Sequence, residues 1–426
     1  MDGARSLLRG RLALLVLVVA LLVRAGQIAA TPDWRPVADP ADYVRHAVSI
    51  AHGHGMAASF LPHGGPSALR PPAYPYLLGG VFAVSGDSYT AGRLAAALLG
   101  VLSVALMGVI AQLLWSRRAA LAAMAIAAVY PPLVLLSGTL LSESLALPLV
   151  LGLLVLVLAY RDEPRPRWVA PLAGLLFALA LLDRPALVMF AVPLVAGLWG
   201  RPWRSWRAAR APAIALAVAV VAIVPWTVRN AVEFHDFVPI STQSGFLVAG
   251  TYNATSDHDP VTPGAYRPAS FDPALRPIVT DPALDENEMN KKLSKAGRTY
   301  AKDHPGYVPR VLWWNGLRLL GLERPLATTE SAYQFQGIGK GYAKLALAAW
   351  FVVAAAALAG LGLGAARGAP WWVWILPPLL YVSVIWISSD IRYRAPIEPF
   401  VVLAAAAAIT SRRRALRPQP TPARLR

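Results

Sequence analysis

The feature that most constrains this chain is the recurrence of apolar runs long enough to cross the roughly 30 Å hydrocarbon core of a bilayer. Short arginine-rich segments separate them. In lipid each such run must satisfy its own backbone polar groups, so the runs fold as helices packed side by side. Hydrophobic residues make up 56% of the chain and charged residues 15%, against about 25% charged in an ordinary soluble domain. The formal net charge of +17 would point to nucleic acid in a soluble protein. Here much of the arginine falls between apolar runs, where cytoplasmic loops carry it. The sequence contains no cysteine, which excludes disulfides and thiolate metal sites.

Topology follows from the same pattern. The N-terminus MDGARSLLRGR is basic, and Leu12 to Val23 is continuously apolar and extendable through Ile28 and Ala29. Small residues from Ala25 to Ala30 also fit a cleaved signal peptide, and a retained anchor is the preferred reading. Both place the loop beginning near Thr31 outside the cytoplasm. Spans at 91–115, 119–138, 143–160, 168–183, 185–199 and 211–227 then alternate in direction. Their inner ends carry Ser116-Arg117-Arg118, Arg161-Asp162-Glu163-Pro164-Arg165 and Arg201-Pro202-Trp203-Arg204. A polar stretch from Arg229 to Lys340 follows, rich in Asn, Asp, Lys and Pro, and reads as a partly helical external domain. Spans at 341–364, 370–388 and 396–410 lead to Ser411-Arg412-Arg413-Arg414.

The expected fold class is an all-α polytopic membrane protein of about ten transmembrane helices with both termini inside. Its expected parts are an N-terminal transmembrane module (1–227) whose first outer loop (31–90) is amphipathic, an extracytoplasmic domain (228–340), C-terminal helices (341–410) and a basic tail (411–426). The expected location is the cell membrane, with the active site on its extracytoplasmic face.

The chemistry-bearing residues gather at the predicted outer ends. Asp39-Pro40-Ala41-Asp42-Tyr43 has the form of a helix start, with Asp39 as N-cap, Pro40 at the first helical position and an acid in the first turn. Val44, Ala47, Val48 and Ala51 continue it at helical spacing, as on a helix lying along the membrane surface, up to Gly53. The same carboxylates are also candidates for activating a hydroxyl. In Arg70-Pro71-Pro72-Ala73-Tyr74-Pro75 the prolines hold Arg70 extended. There it either forks two hydrogen bonds to a phosphate or anchors the interface beside Tyr74 and Tyr76. Arg93 has the same two readings. Glu143, between two apolar runs, is a solvated turn residue or a functional carboxylate.

Arg392, Arg394 and Glu398 crowd into seven residues before the last span, either as interface anchors or as a polar site. Pro225-Trp226-Thr227-Val228-Arg229-Asn230 closes another span. Asp183-Arg184 reads as a short outer turn, and is otherwise the best internal charged pair for a transporter. His52, His54 and His63 match no zinc spacing, and Asn253-Ala254-Thr255 is a glycosylation sequon by pattern alone.

Taken in order, these residues resemble the GT-C fold membrane glycosyltransferases. The similarity is to protein-mannosyltransferase-like and RgtA/B/C/D-like members (the glycosyltransferase family 39 type), and more distantly to aminoarabinose lipid A transferases. It rests on Asp39 to Tyr43, Arg70 to Tyr74, Arg93, Tyr130-Pro131, Ser142-Glu143, the 225–230 motif and Arg392-Tyr393-Arg394-Ala395-Pro396. It implies transfer of a sugar from a polyprenyl-phosphate donor to an envelope glycan, lipid or protein acceptor, with inversion. It further implies Asp39 as base, supported by Asp42 and Glu143. The donor's lipid phosphate would lie among Arg70, Tyr74, Arg93, Arg392 and Arg394. Family members often carry Asp-Glu where this chain has Asp39-Pro40. A divalent cation, Mg or Mn, is compatible with the resemblance, with no ligand set assigned. The competing expectations are a secondary transporter of a lipid or sugar, and a catalytically inactive partner with a GT-C-like body.

Overall fold

The computed structural model describes residues 6–57, 64–160, 166–200, 204–323, 338–388 and 390–415. His63, Arg161 to Arg165, Arg201 to Trp203, residues 324–337 of the expected external domain and the tail from residue 416 lie outside them. Among the described residues the regular structure is helical, apart from one isolated bridge between Ala57 and Pro66.

In chain order the helices begin with α1 (Arg11–Ala29), α2 (Asp39–Ala51), α3 (Ala73–Ser85), α4 (Tyr89–Leu114), α5 (Arg117–Val129) and α6 (Pro131–Leu136). Then come α7 (Glu143–Ala159), α8 (Val169–Asp183), α9 (Ala191–Leu198) and α10 (Arg210–Phe234). The more polar part contributes α11 (Gln243–Thr251), α12 (Glu286–Asp303) and α13 (Tyr307–Leu320), and the chain closes with α14 (Lys340–Gly362), α15 (Leu376–Ile385) and α16 (Glu398–Ala415).

By length and composition α1, α4, α14 and the segment Trp206–Phe234 containing α10 are long and apolar enough to cross a membrane. Shorter apolar helices lie at most of the other predicted span positions, at Glu143–Ala159, Val169–Asp183, Pro185–Leu198, Trp371–Ile385 and Glu398–Ile409. Leu12, Leu22, Val221 and Val352 stay exposed, as expected of side chains facing acyl chains rather than water. Lipid supplies no hydrophobic drive between helices, so close packing of small residues must hold the bundle. Gly174 of α8 lies against the Ala215 backbone of α10, and Gly360 of α14 against the Ala404 carbonyl of α16. A Cβ at either glycine would collide.

Among the boundaries that differ from the sequence expectation, two lie near residues 130 and 227. The run expected as one span over 119–138 breaks at Tyr130, whose backbone is extended (φ −68°, ψ 111°) between α5 and α6. Pro131 and Pro132 cause this, because a residue preceding proline is pushed out of the helical region. At the other boundary, α10 does not stop at 227 but runs through Pro225 to Phe234.

The predicted surface helix α2 forms, and its buried face is Asp42, Tyr43, Val44, His46 and Ala47. Its apolar residues join the main core alongside Tyr74, Leu78 and Phe82 of α3. Asp39 is not its cap. The N-cap is Ala38, in the unusual conformation φ 50°, ψ −123°, and no side chain caps the helix. Asp39 is therefore the first helical residue, which leaves its carboxylate free to turn elsewhere. α11 and α12 share a separate small core of Leu69, Phe246, Ala249, Leu275, Met289 and Leu293. A capping box between Asp285 and Glu288 opens α12.

Candidate active site

Element ends converge on one cluster. Asp39 and Asp42 come from the first turn of α2, Glu143 from the first residue of α7, Arg184 from just past α8, and Arg392 from a short 3-10 turn before α16. Arg70 enters from the loop before α3, where Pro71 and Pro72 keep its backbone out of the helix.

Arg70 bridges the two aspartates. Its Nε donates to Asp42 Oδ2 at 2.6 Å and its Nη2 to Asp39 Oδ1 at 2.5 Å. The other oxygen of Asp39 accepts from Arg392 Nη2. Arg392 is shared further, with Nε 3.2 Å from Asp390 Oδ2 and 3.9 Å from Glu143 Oε1. Glu143 is fully buried and forms an ion pair with Arg184 Nη1 at 2.6 Å. Arg184 also donates to Ser142 Oγ at 3.0 Å, and the Tyr43 hydroxyl donates to that same oxygen at 3.1 Å. Three arginines thus interleave with four carboxylates, and aromatic rings flank them. Arg70 lies 5.1 Å over Tyr43, while Arg184 and Arg392 lie 4.9 and 5.1 Å from the ring of Tyr393. Tyr74 packs edge-on to Tyr43 at 5.3 Å.

Electrostatics fix the charge states. Burial pushes the Asp39 carboxyl up, but Arg392 and then Arg70 outweigh it and hold the group well below the usual carboxylate range. Arg70 and Arg392 stay cationic, because their carboxylates more than offset the burial that opposes their charge. Burial is the main force raising the Tyr43 phenol, to about 12, so it remains a neutral donor. Asp39 is deep-set, yet 27% of its side chain is accessible, against 3% for Asp42 and none for Glu143. Asp390 is equally accessible at 28%, and Asp39 is the accessible carboxylate that both Arg70 and Arg392 hold.

Of the residues singled out by sequence, Asp39, Asp42, Arg70, Tyr74, Glu143 and Arg392 come together. Arg93 and Arg394 do not. Arg93 donates to the Gly138 carbonyl at 2.9 Å, the Thr31 carbonyl at 3.0 Å and the Thr31 hydroxyl, with Trp34 under its guanidinium. Arg394 pairs with Glu398 at 2.5 Å, which also accepts from the Tyr130 hydroxyl at 2.6 Å, and Arg394 lies on the ring of Trp350. Both fasten elements together.

Sequence reasoning missed Arg184, read there as part of an outer turn, as well as Ser142 and Asp390. The one available signal was an arginine next to proline at an apolar helix end, the form Arg70 also has. The 225–230 motif is structural. Trp226 Nε1 donates to the Ile240 carbonyl at 2.7 Å, and Asn230 Nδ2 to the Val238 carbonyl at 3.0 Å. Asn253 of the sequon is buried, with its amide donating to the Ala249 carbonyl at 2.7 Å. His52 pairs with Asp87 at 2.9 Å.

The donor set does not fit Mg or Mn. Those ions require several oxygen ligands in near-octahedral array, whereas both oxygens of Asp39 and one of Asp42 are engaged by arginine. Among the described residues no three His, Asp or Glu gather as ligands. In this arrangement guanidinium groups lie beside the carboxylates as their positive partners.

Residues 69–228 match the family model described as dolichyl-phosphate-mannose-protein mannosyltransferase. A search of curated protein sequences finds no match. Among solved structures, the Archaeoglobus fulgidus oligosaccharyltransferase in complex with Zn and sulfate is 15% identical, with a TM-score of 0.53 over 93% of this chain and 48% of its own. The archaeal oligosaccharyltransferase AglB from Archaeoglobus fulgidus, in complex with an inhibitory peptide and a dolichol-phosphate, is 14% identical, with a TM-score of 0.52 over 95% of this chain and 51% of its own. ArnT from Cupriavidus metallidurans bound to undecaprenyl phosphate is 16% identical over 94% of this chain and 78% of its own, with a TM-score of 0.43. The chain thus spans about half the length of the oligosaccharyltransferase whose fold it shares. The chain is a helical polytopic membrane protein that shares the fold of the oligosaccharyltransferase, and its residues 69–228 are similar to the protein-mannosyltransferase family.

Proposed function

We propose that this chain transfers a sugar from a polyprenyl-phosphate donor to a hydroxyl of an envelope glycan, lipid or protein acceptor on the extracytoplasmic face, with inversion. The observation that carries the proposal is the accessible carboxylate of Asp39, held between the guanidiniums of Arg70 and Arg392. A carboxylate that accepts a proton and cations that receive a leaving phosphate are the two charges such a substitution needs. The dolichol-phosphate bound by the oligosaccharyltransferase of similar fold supports a lipid-phosphate donor.

As the acceptor oxygen bonds to the anomeric carbon, the bond from that carbon to the phosphate oxygen breaks. The acceptor proton passes to Asp39, and polyprenyl phosphate departs with the bonding electrons. An aspartate is too weak a base, at an unperturbed pKa of about 3.9, to deprotonate the hydroxyl beforehand, so proton transfer accompanies bond formation. In the arrangement described both Asp39 oxygens are occupied. Arg392, already divided among Asp39, Asp390 and Glu143, is the cation placed to leave. A donor phosphate that engages Arg392 draws it from Asp39 and frees an oxygen for the acceptor. Arg70, braced by Asp42, keeps Asp39 oriented. Glu143 and Arg184 support the site from behind through Ser142.

The test is transfer by the reconstituted protein from radiolabelled polyprenyl-phosphate sugars to an envelope extract. Arg70→Ala and Arg392→Gln should each raise the donor KM, because each removes a phosphate ligand. No transfer with any donor, together with proton- or sodium-coupled uptake of sugar, would favour the transporter instead.

A further inference from the structure

Arg70 is presented to the site by a segment that belongs to the small core around α11 and α12. Leu69 is 3% exposed and packs with Phe246, Met289 and Leu293. The two residues before it are fixed by Glu286 of α12, 218 residues further along the chain. Ser67 Oγ donates to Glu286 Oε2 at 2.6 Å, and the Ala68 amide donates to Oε1 at 2.8 Å. Thr242 Oγ1 donates to the same Oε1 at 2.5 Å, while the Thr242 amide donates to the Ala68 carbonyl at 3.0 Å. From the other side Arg229 holds the carbonyls of Ser67 at 2.9 Å and Met56 at 3.1 Å. Glu286 is 4% exposed. Burial raises its carboxyl above the ordinary range, opposed by the bonds from Ser67, Thr242 and Ala68.

Arg70 follows this clamped segment directly, and Pro71-Pro72 restricts the chain beyond it. Its backbone therefore has little freedom on either side. We infer that Glu286 is the positioning residue for Arg70, fixing from a distant helix where its guanidinium meets Asp39, Asp42 and the donor phosphate. A carboxylate suits this role because it accepts three charge-assisted bonds at once and donates none. A glutamine of the same shape would turn an amide NH₂ toward one of these donors and push the segment away. The inference rests on the proposed transfer reaction only for its kinetic readout.

The test is a double-mutant cycle on the full-length reconstituted protein with Glu286→Gln and Arg70→Ala. It follows donor kcat/KM and the affinity for a polyprenyl phosphate, with hydrogen exchange over residues 67–70 read alongside. Glu286→Gln should lower donor kcat/KM by about 10- to 100-fold, as misplacement of about 1 Å does, and weaken polyprenyl-phosphate binding. On the Arg70→Ala background it should add less than about 2-fold, since residues acting as a unit are not additive. Exchange over 67–70 should rise. Fully additive losses, or unchanged exchange, would overturn the inference and leave Glu286 a general support of the fold. Where Glu286→Gln does not fold, Ser67→Ala removes a single donor and should show the same non-additivity. A wild type that binds polyprenyl phosphate but transfers nothing would sink the transfer reaction, while the binding cycle and exchange still decide on Glu286.

Discussion

At the scale of single residues, what an arginine does here depends on which partner the fold brings to it. Arg70, Arg93, Arg392 and Arg394 all sit near apolar helix ends. Arg70 and Arg392 meet the carboxylate of Asp39, whereas Arg93 meets backbone carbonyls and Arg394 meets its near neighbour Glu398. Local sequence could separate Arg70, because two following prolines dictate its backbone, but could not separate the others. The contacts that distinguish Arg93 and Arg392 are distant, 45 residues to Gly138 and 353 residues to Asp39.

The same pairing makes Asp39 a strong acid. Its stabilising interaction is complete above the unfolded pKa of about 3.9 and is lost only as pH falls through the still lower folded value. In Arg392→Gln the largest attraction on Asp39 disappears, so its carboxyl should rise by about 1–3 units. The acid limb of the kcat/KM profile, which reports the free enzyme, should therefore move to higher pH. A limb at the wild-type position would show that Arg392 does not set the charge of Asp39.

At the scale of elements, helix ends build the site, and two of the loops feeding it carry backbone strain. Ala38, before α2, and Leu140, before α7, have φ of 50° and 54°, a region that non-glycine residues avoid. Each lies a few residues upstream of a site carboxylate, Asp39 or Glu143. The sequence argued for an aspartate cap at the start of α2, and that reading fails because Asp39 is drawn to arginines across the site instead. Local propensity could locate the helix but not the tertiary pull on its first side chain. Ala38→Gly should relieve the strain and raise stability by about 1 kcal/mol, seen as a higher unfolding midpoint in detergent. A lower midpoint would mean that the conformation is not strained. The break at Tyr130, by contrast, is written in Pro131-Pro132 and is masked only by the apolar run around it.

At the scale of the whole molecule, apolar periodicity and arginine placement made the helical membrane class legible, because lipid leaves few alternatives to a helix. They could not show how the more polar part between α10 and α14 engages the bundle. There the deciding contact is Glu286 on Ser67 and Ala68, a pair with no local signal at either end. The resulting design is a bundle whose helix ends supply carboxylates and cations, with a second helical unit holding one of those cations in place. The proposed transfer turns on Asp39. The most direct measurement is therefore single-turnover transfer from a radiolabelled polyprenyl-phosphate sugar by wild type and by Asp39→Asn, reconstituted side by side. The expected result is a loss of about 10²- to 10⁴-fold in the chemical step with polyprenyl-phosphate binding retained. Transfer by Asp39→Asn at the wild-type rate would contradict the assignment of Asp39 as the base.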